Sequence, residues 1–170
     1  DANIGVKSDL LDGTINYRNG SFYQSSYSNL YAGHWSNLIY YSWNRPVFEF
    51  NIGGLGRVRQ ATFFLDYSSK TVSGENCSFD LNSVQTLGTS IDVTDWNSAV
   101  FEKVKDNWFD QNIAGDITAD VTNSWNSSIN TQRSYLALRL GMDTEENYTS
   151  LTNKCMMYFN DTGFGISPHI

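Results

Sequence analysis

Two histidines, two cysteines and two prolines are all that the 170 residues contain of those types, and each scarcity removes a class of explanation. So few prolines argue against a disordered or low-complexity tract. His34 and His169 are the only histidines, so a zinc helix of the HExxH kind has no ligands, and no GxSxG, P-loop or Rossmann glycine motif is present. Basic residues are scarce too. Lys and Arg number 11 against 18 Asp and Glu, the formal net charge is -7, and nothing basic is clustered. Nucleic acid and anionic membrane surfaces reward clustered cations, so neither is expected as a partner. No run of about 18 apolar residues exists, so no membrane-spanning helix is expected. The N-terminus lacks the charged and apolar regions of a signal peptide, which was either removed or never present.

What is there instead is apolar and polar-neutral. Hydrophobic residues make up 40% and charged residues only 17%, with Ser, Thr, Asn, Gly and Tyr filling much of the remainder. That mixture suits strands and turns better than helices. The length supports one core, so a single domain is expected over 21–170, behind an extended N-terminal segment at 1–20. Cys77 and Cys155 have no CxxC spacing, which leaves one long-range disulfide or two buried thiols. Sequons occur at Asn19, Asn76, Asn126, Asn147 and Asn160. In a chain this rich in Asn, Ser and Thr they permit a secreted or cell-surface glycoprotein without establishing one.

Period-two alternation dominates the chain. Phe48, Phe50 and Ile52 share one face of a strand, with Val47, Glu49 and Asn51 opposite. After the glycines at 53, 54 and 56, Ala61, Phe63, Leu65 and Tyr67 alternate with Gln60, Thr62, Phe64 and Asp66. Cys77, Phe79 and Leu81 form another such set, as do Ile117, Ala119 and Val121, then Leu136, Leu138 and Leu140, and finally Cys155, Met157 and Phe159. Near the N-terminus, strands are predicted at Asn3 to Val6 and Gly13 to Tyr17, with Asn19-Gly20 as a turn. Between Ser98 and Trp108 the period changes: Val100, Phe101, Val104 and Trp108 recur at helical spacing behind Asn97 and Ser98, which predicts one short helix there. The fold class is therefore all-β, an antiparallel β-sandwich with one short helix.

The order of segments RPVFEFNI, a glycine break, RQATFFLDYSS, TDWNSA, DITADVTNSW and YLALRL resembles the DNRLRE, or disaggregatase-related, domains. The positions that carry the resemblance are Arg45, Ala61-Thr62, Asp95-Trp96-Asn97, Asp120-Val121-Thr122 with Trp125, and Leu136 to Leu140, within roughly residues 28 to 168. The resemblance implies a jelly roll that binds carbohydrate on a cell-surface or polysaccharide-acting protein. The acidic and Arg-containing signature that names the family is not visible here. The family also closes with a full strand where this chain has Ser167-Pro168-His169-Ile170; either another segment closes the sandwich, or the sequence is a fragment, or a strand from a neighbouring subunit completes the edge. Asp1 to Ser8 of a neighbouring subunit is the expected donor, giving a homopolymer assembled by strand exchange as the second reading.

Sugar rings stack their C-H faces on flat side chains, so the glycan candidates are Tyr23, Tyr27, Tyr31, Trp35, Tyr40 and Trp43, for each of which core packing competes. Trp96, Trp108 and Trp125 are read as core, and Arg45 as a structural ion-pair partner. No catalytic residue is assigned and no cofactor is required. Asp143, Glu145 and Glu146, or Asp9 and Asp12, are the oxygen donors available to a structural calcium ion, although no loop has EF-hand spacing. The expectation is a non-catalytic module binding a polysaccharide or other glycan.

Overall fold

In the computed structural model the described residues are 13–24, 30–36, 41–73, 77–85, 93–142 and 154–160. They form eleven strands: β1 (Gly13–Arg18), β2 (Ser21–Gln24), β3 (Leu30–Ser36), β4 (Tyr41–Asn51), β5 (Thr62–Leu65), β6 (Tyr67–Ser73), β7 (Ser78–Val84), β8 (Val100–Asp110), β9 (Ile117–Asp120), β10 (Tyr135–Met142) and β11 (Lys154–Phe159). One helix, α1 (Thr122–Asn130), and a 3-10 turn at Val93–Asn97 complete them. Every pairing is antiparallel. The fold is thus the all-β sandwich with one short helix that the alternation predicts, though its layers are unequal. A nine-stranded curled sheet runs β6-β11-β3-β4-β10-β7-β8, with β1 and β2 joined on through β4, and β5 and β9 form a separate two-stranded layer. Among the described residues no helix is long and apolar enough to cross a membrane.

The glycine break after β4 moves the chain from one layer to the other, so β4 and β5 do not pair with each other. Instead the Phe63 ring on β5 meets Phe48 and Phe50 of β4 at 5.2 and 5.8 Å between centroids. Each such aromatic contact contributes about 1 kcal/mol beyond area burial. Phe48, Phe50 and Ile52 are fully buried, as the alternation predicts, but Val47 and Glu49 on the opposite face are buried as well. The 3-10 turn covers that second face. Arg45 and Arg139 both donate from Nη1 to the Trp96 carbonyl, at 2.8 and 2.7 Å, and Arg45 also lies 4.1 Å from the Trp96 ring centre. Arg45 is therefore a structural residue, engaged with a carbonyl and a ring.

The helix expected at 98–108 is a strand. Ten steps along β8, from Val100 to Asp110, pair with six along β7, from Ser78 to Val84, because the register shifts three times. Each inserted residue resets the alternation, and repeated resets imitate a helical period. One bulge turns at Asn107, at φ 47°, where the Asp80 Oδ1 accepts the Asn107 N–H at 2.8 Å and the Lys103 ammonium sits 2.8 Å from both Asp80 and Asp106. Trp108 is only half-buried, packed against the edge of the core.

The helix lies instead at Thr122–Asn130, in Asn- and Ser-rich sequence of poor helix propensity. Tertiary anchors hold it there. Trp125 is buried and donates its indole N–H to the Gly56 carbonyl at 3.0 Å, while Thr122 Oγ1 accepts the Ala61 N–H at 2.9 Å. Cys77 and Cys155 form a disulfide, joining the start of β7 to β11 across 78 residues. Within the segment 1–20, β1 belongs to the main sheet and pairs with both β2 and β4. Asp1 to Ser8, and Ser167 to Ile170, lie outside the described residues.

Candidate functional site

β3 reads Leu-Tyr-Ala-Gly-His-Trp-Ser, and its alternation sorts two faces. Leu30, Ala32, His34 and Ser36 are buried, whereas Tyr31 and Trp35 are half-buried on the other side. Their cross-strand neighbours follow from the register: Trp35 lies beside Ser42 and Lys154, Gly33 beside Asn44 and Met156, and Tyr31 beside Tyr158. β1 extends the same face with Asn16 opposite Asn44 and Arg18 opposite Ser42, and β2 adds Tyr23 opposite Asn16. Apart from Gly33 and Lys154, these residues line a cleft of about 440 Å³.

The cleft floor is polar but well tied. Asn44, 2% exposed, donates from Nδ2 to the Gly33 carbonyl at 3.0 Å and lies 3.3 Å from the Met156 sulfur. Gly33 has φ +116°, and a Cβ there would stand 1.9 Å from the Cys155 carbonyl oxygen, so only glycine lets β3 and β11 approach this closely. The Tyr31 hydroxyl donates to Asn16 Oδ1 at 3.1 Å, and the Tyr31 N–H donates to Thr14 Oγ1 at 3.1 Å. Tyr31 is thereby tied at both its backbone and its hydroxyl, its ring 6.2 Å from that of Tyr158 and tilted 43° to it.

Trp35 behaves differently from the tyrosines. The Lys154 ammonium sits 4.1 Å from the centre of its ring, so a cation already occupies one face. Its indole N–H is buried and has no acceptor. An unsatisfied buried donor costs about 1–3 kcal/mol. Among the described residues Arg18 is the one charged side chain that lines the cleft, and no carboxylate lines it. A second hollow, beside Trp108, Phe109 and Asp110, offers less: the Trp108 indole N–H already donates to Thr118 O at 2.9 Å, and Asp110 Oδ1 accepts the Asn112 N–H at 2.7 Å.

Of the six rings singled out in the sequence, Tyr23, Tyr31 and Trp35 come together in the cleft. Trp43 is 8% exposed and lies on the opposite face of β4, its ring 4.2 Å from that of His34. Tyr27 and Tyr40 lie outside the described residues. The lining residues missed are Asn16, Arg18, Ser42, Asn44, Met156 and Tyr158. Tyr158 and Met156 were legible in principle, because Lys154, Met156 and Tyr158 alternate with the apolar set Cys155, Met157 and Phe159. Burial of His34 against Trp43 lowers its pKa to about 4, which keeps the imidazole neutral near pH 7.

The sequons divide by what their amides do. Asn126 is spent in the structure: its Oδ1 accepts the Val58 N–H at 2.9 Å and its Nδ2 donates to the Val58 carbonyl at 3.0 Å. Asn160 Nδ2 donates to Asp66 Oδ2 at 2.8 Å. Asn19 is exposed on the tight turn between β1 and β2, with φ 46°, and its Oδ1 accepts the Tyr41 N–H at 3.0 Å. Asn76 and Asn147 lie outside the described residues, as do Asp9, Asp12, Asp143, Glu145 and Glu146. Among the described residues no group of three or more His, Cys, Asp or Glu side chains could hold a metal ion.

No protein-family model matches the chain, and no curated protein matches its sequence.

Proposed function

We propose that the cleft on the outer face of β1 to β4 and β11 binds carbohydrate, and that the protein is a non-catalytic module working outside the cell. The observation that carries this reading is the convergence of Tyr23, Tyr31 and Tyr158 with the Trp35 ring and the half-buried amide of Asn16. A sugar presents an apolar C-H face and a ring of hydroxyls at once. Aromatic side chains take the first by dispersion and burial, and amides take the second. The lining contains no carboxylate, histidine or cysteine among the described residues, so it supplies binding groups without an acid-base pair. The Cys77–Cys155 disulfide supports an oxidising compartment.

Affinity electrophoresis in gels cast with xylan, mixed-linkage glucan, galactomannan, pectin or hyaluronan tests the reading. At least one polymer is expected to retard the protein, and Tyr23→Ala and Tyr158→Ala are each expected to reduce that retardation. Unaltered mobility in every polymer, or retardation that both variants retain in full, would sink it.

A further inference from the structure

The cleft belongs to a longer structural row. Tyr23 pairs with Asn16, Asn16 with Asn44, Asn44 with Gly33, Gly33 with Met156 and Met156 with Thr71, so six residues stand in register across β2, β1, β4, β3, β11 and β6. At the usual strand separation this row is roughly 24 Å long and perpendicular to the strands. Among the described residues neither end is closed by a further strand, because β2 pairs only with β1 and β6 pairs only with β11.

The side chains along the row are graded in height. Tyr23 stands at one end, 54% exposed. Tyr31 and Tyr158 rise beside the middle. Beyond β11 the same face continues with Ser69, Thr71 and Ser73, which lie beside Tyr158, Met156 and Lys154. These three are short hydroxyl side chains that build no wall. A socket for a single terminal sugar needs tall residues on every side, and among the described residues the β6 end of this row presents only short ones.

We infer that the ligand is a linear polysaccharide, laid across the strands and gripped along an internal stretch rather than by its terminal sugar. This rests on the carbohydrate reading of the cleft and adds a direction and a length to it. Tyr23 and the Tyr31–Tyr158 pair are the stacking platforms, Asn16 meets hydroxyls between them, and the Ser and Thr side chains of β6 carry the chain off the far edge.

The experiment is isothermal titration calorimetry with oligosaccharides of one to eight residues cut from whichever of the five gel polymers retards the protein most. Affinity is expected to rise at least about tenfold from the disaccharide to the pentasaccharide, and to be insensitive to chemical capping of both chain ends. Thr71→Arg, placed on an edge strand and checked for an unchanged melting temperature, is expected to lower affinity about tenfold for the pentasaccharide and to leave the disaccharide unaffected. A monosaccharide that binds as tightly as the octasaccharide, or binding abolished by end capping, would overturn the inference and leave carbohydrate binding intact. Failure of all five polymers to bind overturns both.

Discussion

The Asn44 amide and the Gly33 carbonyl are joined by a 3.0 Å hydrogen bond that fastens β4 to β3 beneath the cleft. The bond needs β3 close to its neighbours, and Gly33 permits this because it has no Cβ to strike the Cys155 carbonyl oxygen. Gly33→Ala is therefore expected to destabilise the protein by at least about 2 kcal/mol through backbone strain and displacement of β11. For a chain of this size the melting temperature should drop by roughly 4–8 °C. A variant that melts like the wild type would show that β11 shifts without cost.

Reducing the disulfide should be costly as well. The bridge spans 78 residues, and closing a loop of that length in the unfolded chain corresponds to about 4–5 kcal/mol in the chain-entropy treatment. The double substitution Cys77→Ser, Cys155→Ser is expected to lower the urea midpoint by a corresponding amount, as is reduction of the wild type. Because β11 supplies Met156 and Tyr158, cleft binding should weaken under the same conditions.

His34 sets an acid limit. Its folded-state pKa of about 4 lies below the unfolded value of about 6.5, so the unfolded chain takes up the proton first. The contribution is absent as a penalty above pH 6.5, and stability falls as pH drops from about 6.5 to about 4, by at most about 3 kcal/mol. Urea unfolding of the wild type and His34→Gln across that range measures it. The two curves should converge toward acid pH, and parallel curves would exclude His34 as the cause.

Asn126 should carry no glycan in the folded protein. A sugar on Nδ2 would break the bond to the Val58 carbonyl and push α1 off the loop it anchors. Peptide mass spectrometry of protein from a glycosylating host is expected to find Asn126 unmodified, and Asn126→Ala should cost about 1–3 kcal/mol by leaving the Val58 groups unsatisfied. Modification of Asn126 in material that melts normally would contradict this.

Much of the strand framework was legible, and particular residues show why. Leu136, Leu138 and Leu140 alternate without interruption, and all three are fully buried on β10. β8 misled because its bulges are set by tertiary partners, Asp80 and Lys103, which no local pattern announces. α1 was hidden for the converse reason: Ser and Asn disfavour a helix, and only Trp125, Thr122 and Asn126 bonding to the 56–61 loop hold it. The site was half legible. Ring density in 21–44 pointed to Tyr23, Tyr31 and Trp35, yet spacing alone could not separate the buried Trp43 from the half-buried Trp35. That separation depends on which face β3 and β4 turn to the core. Tyr158 was missed because the register that places it beside Tyr31 joins segments more than a hundred residues apart, and Asn16 because its place beside Tyr23 and Asn44 follows from strand pairing that its own spacing does not announce.

The Trp35 indole N–H offers the most direct test of the whole account, since it gives its own resolved resonance in a nitrogen-proton correlation spectrum. Titration with an oligosaccharide from the retarding polymer is expected to move that resonance together with the amides of Asn16, Tyr31 and Met156, and to leave Phe63 and Ala119 on the second layer in place. Shifts centred on β5 and β9 with a stationary Trp35 resonance would contradict it.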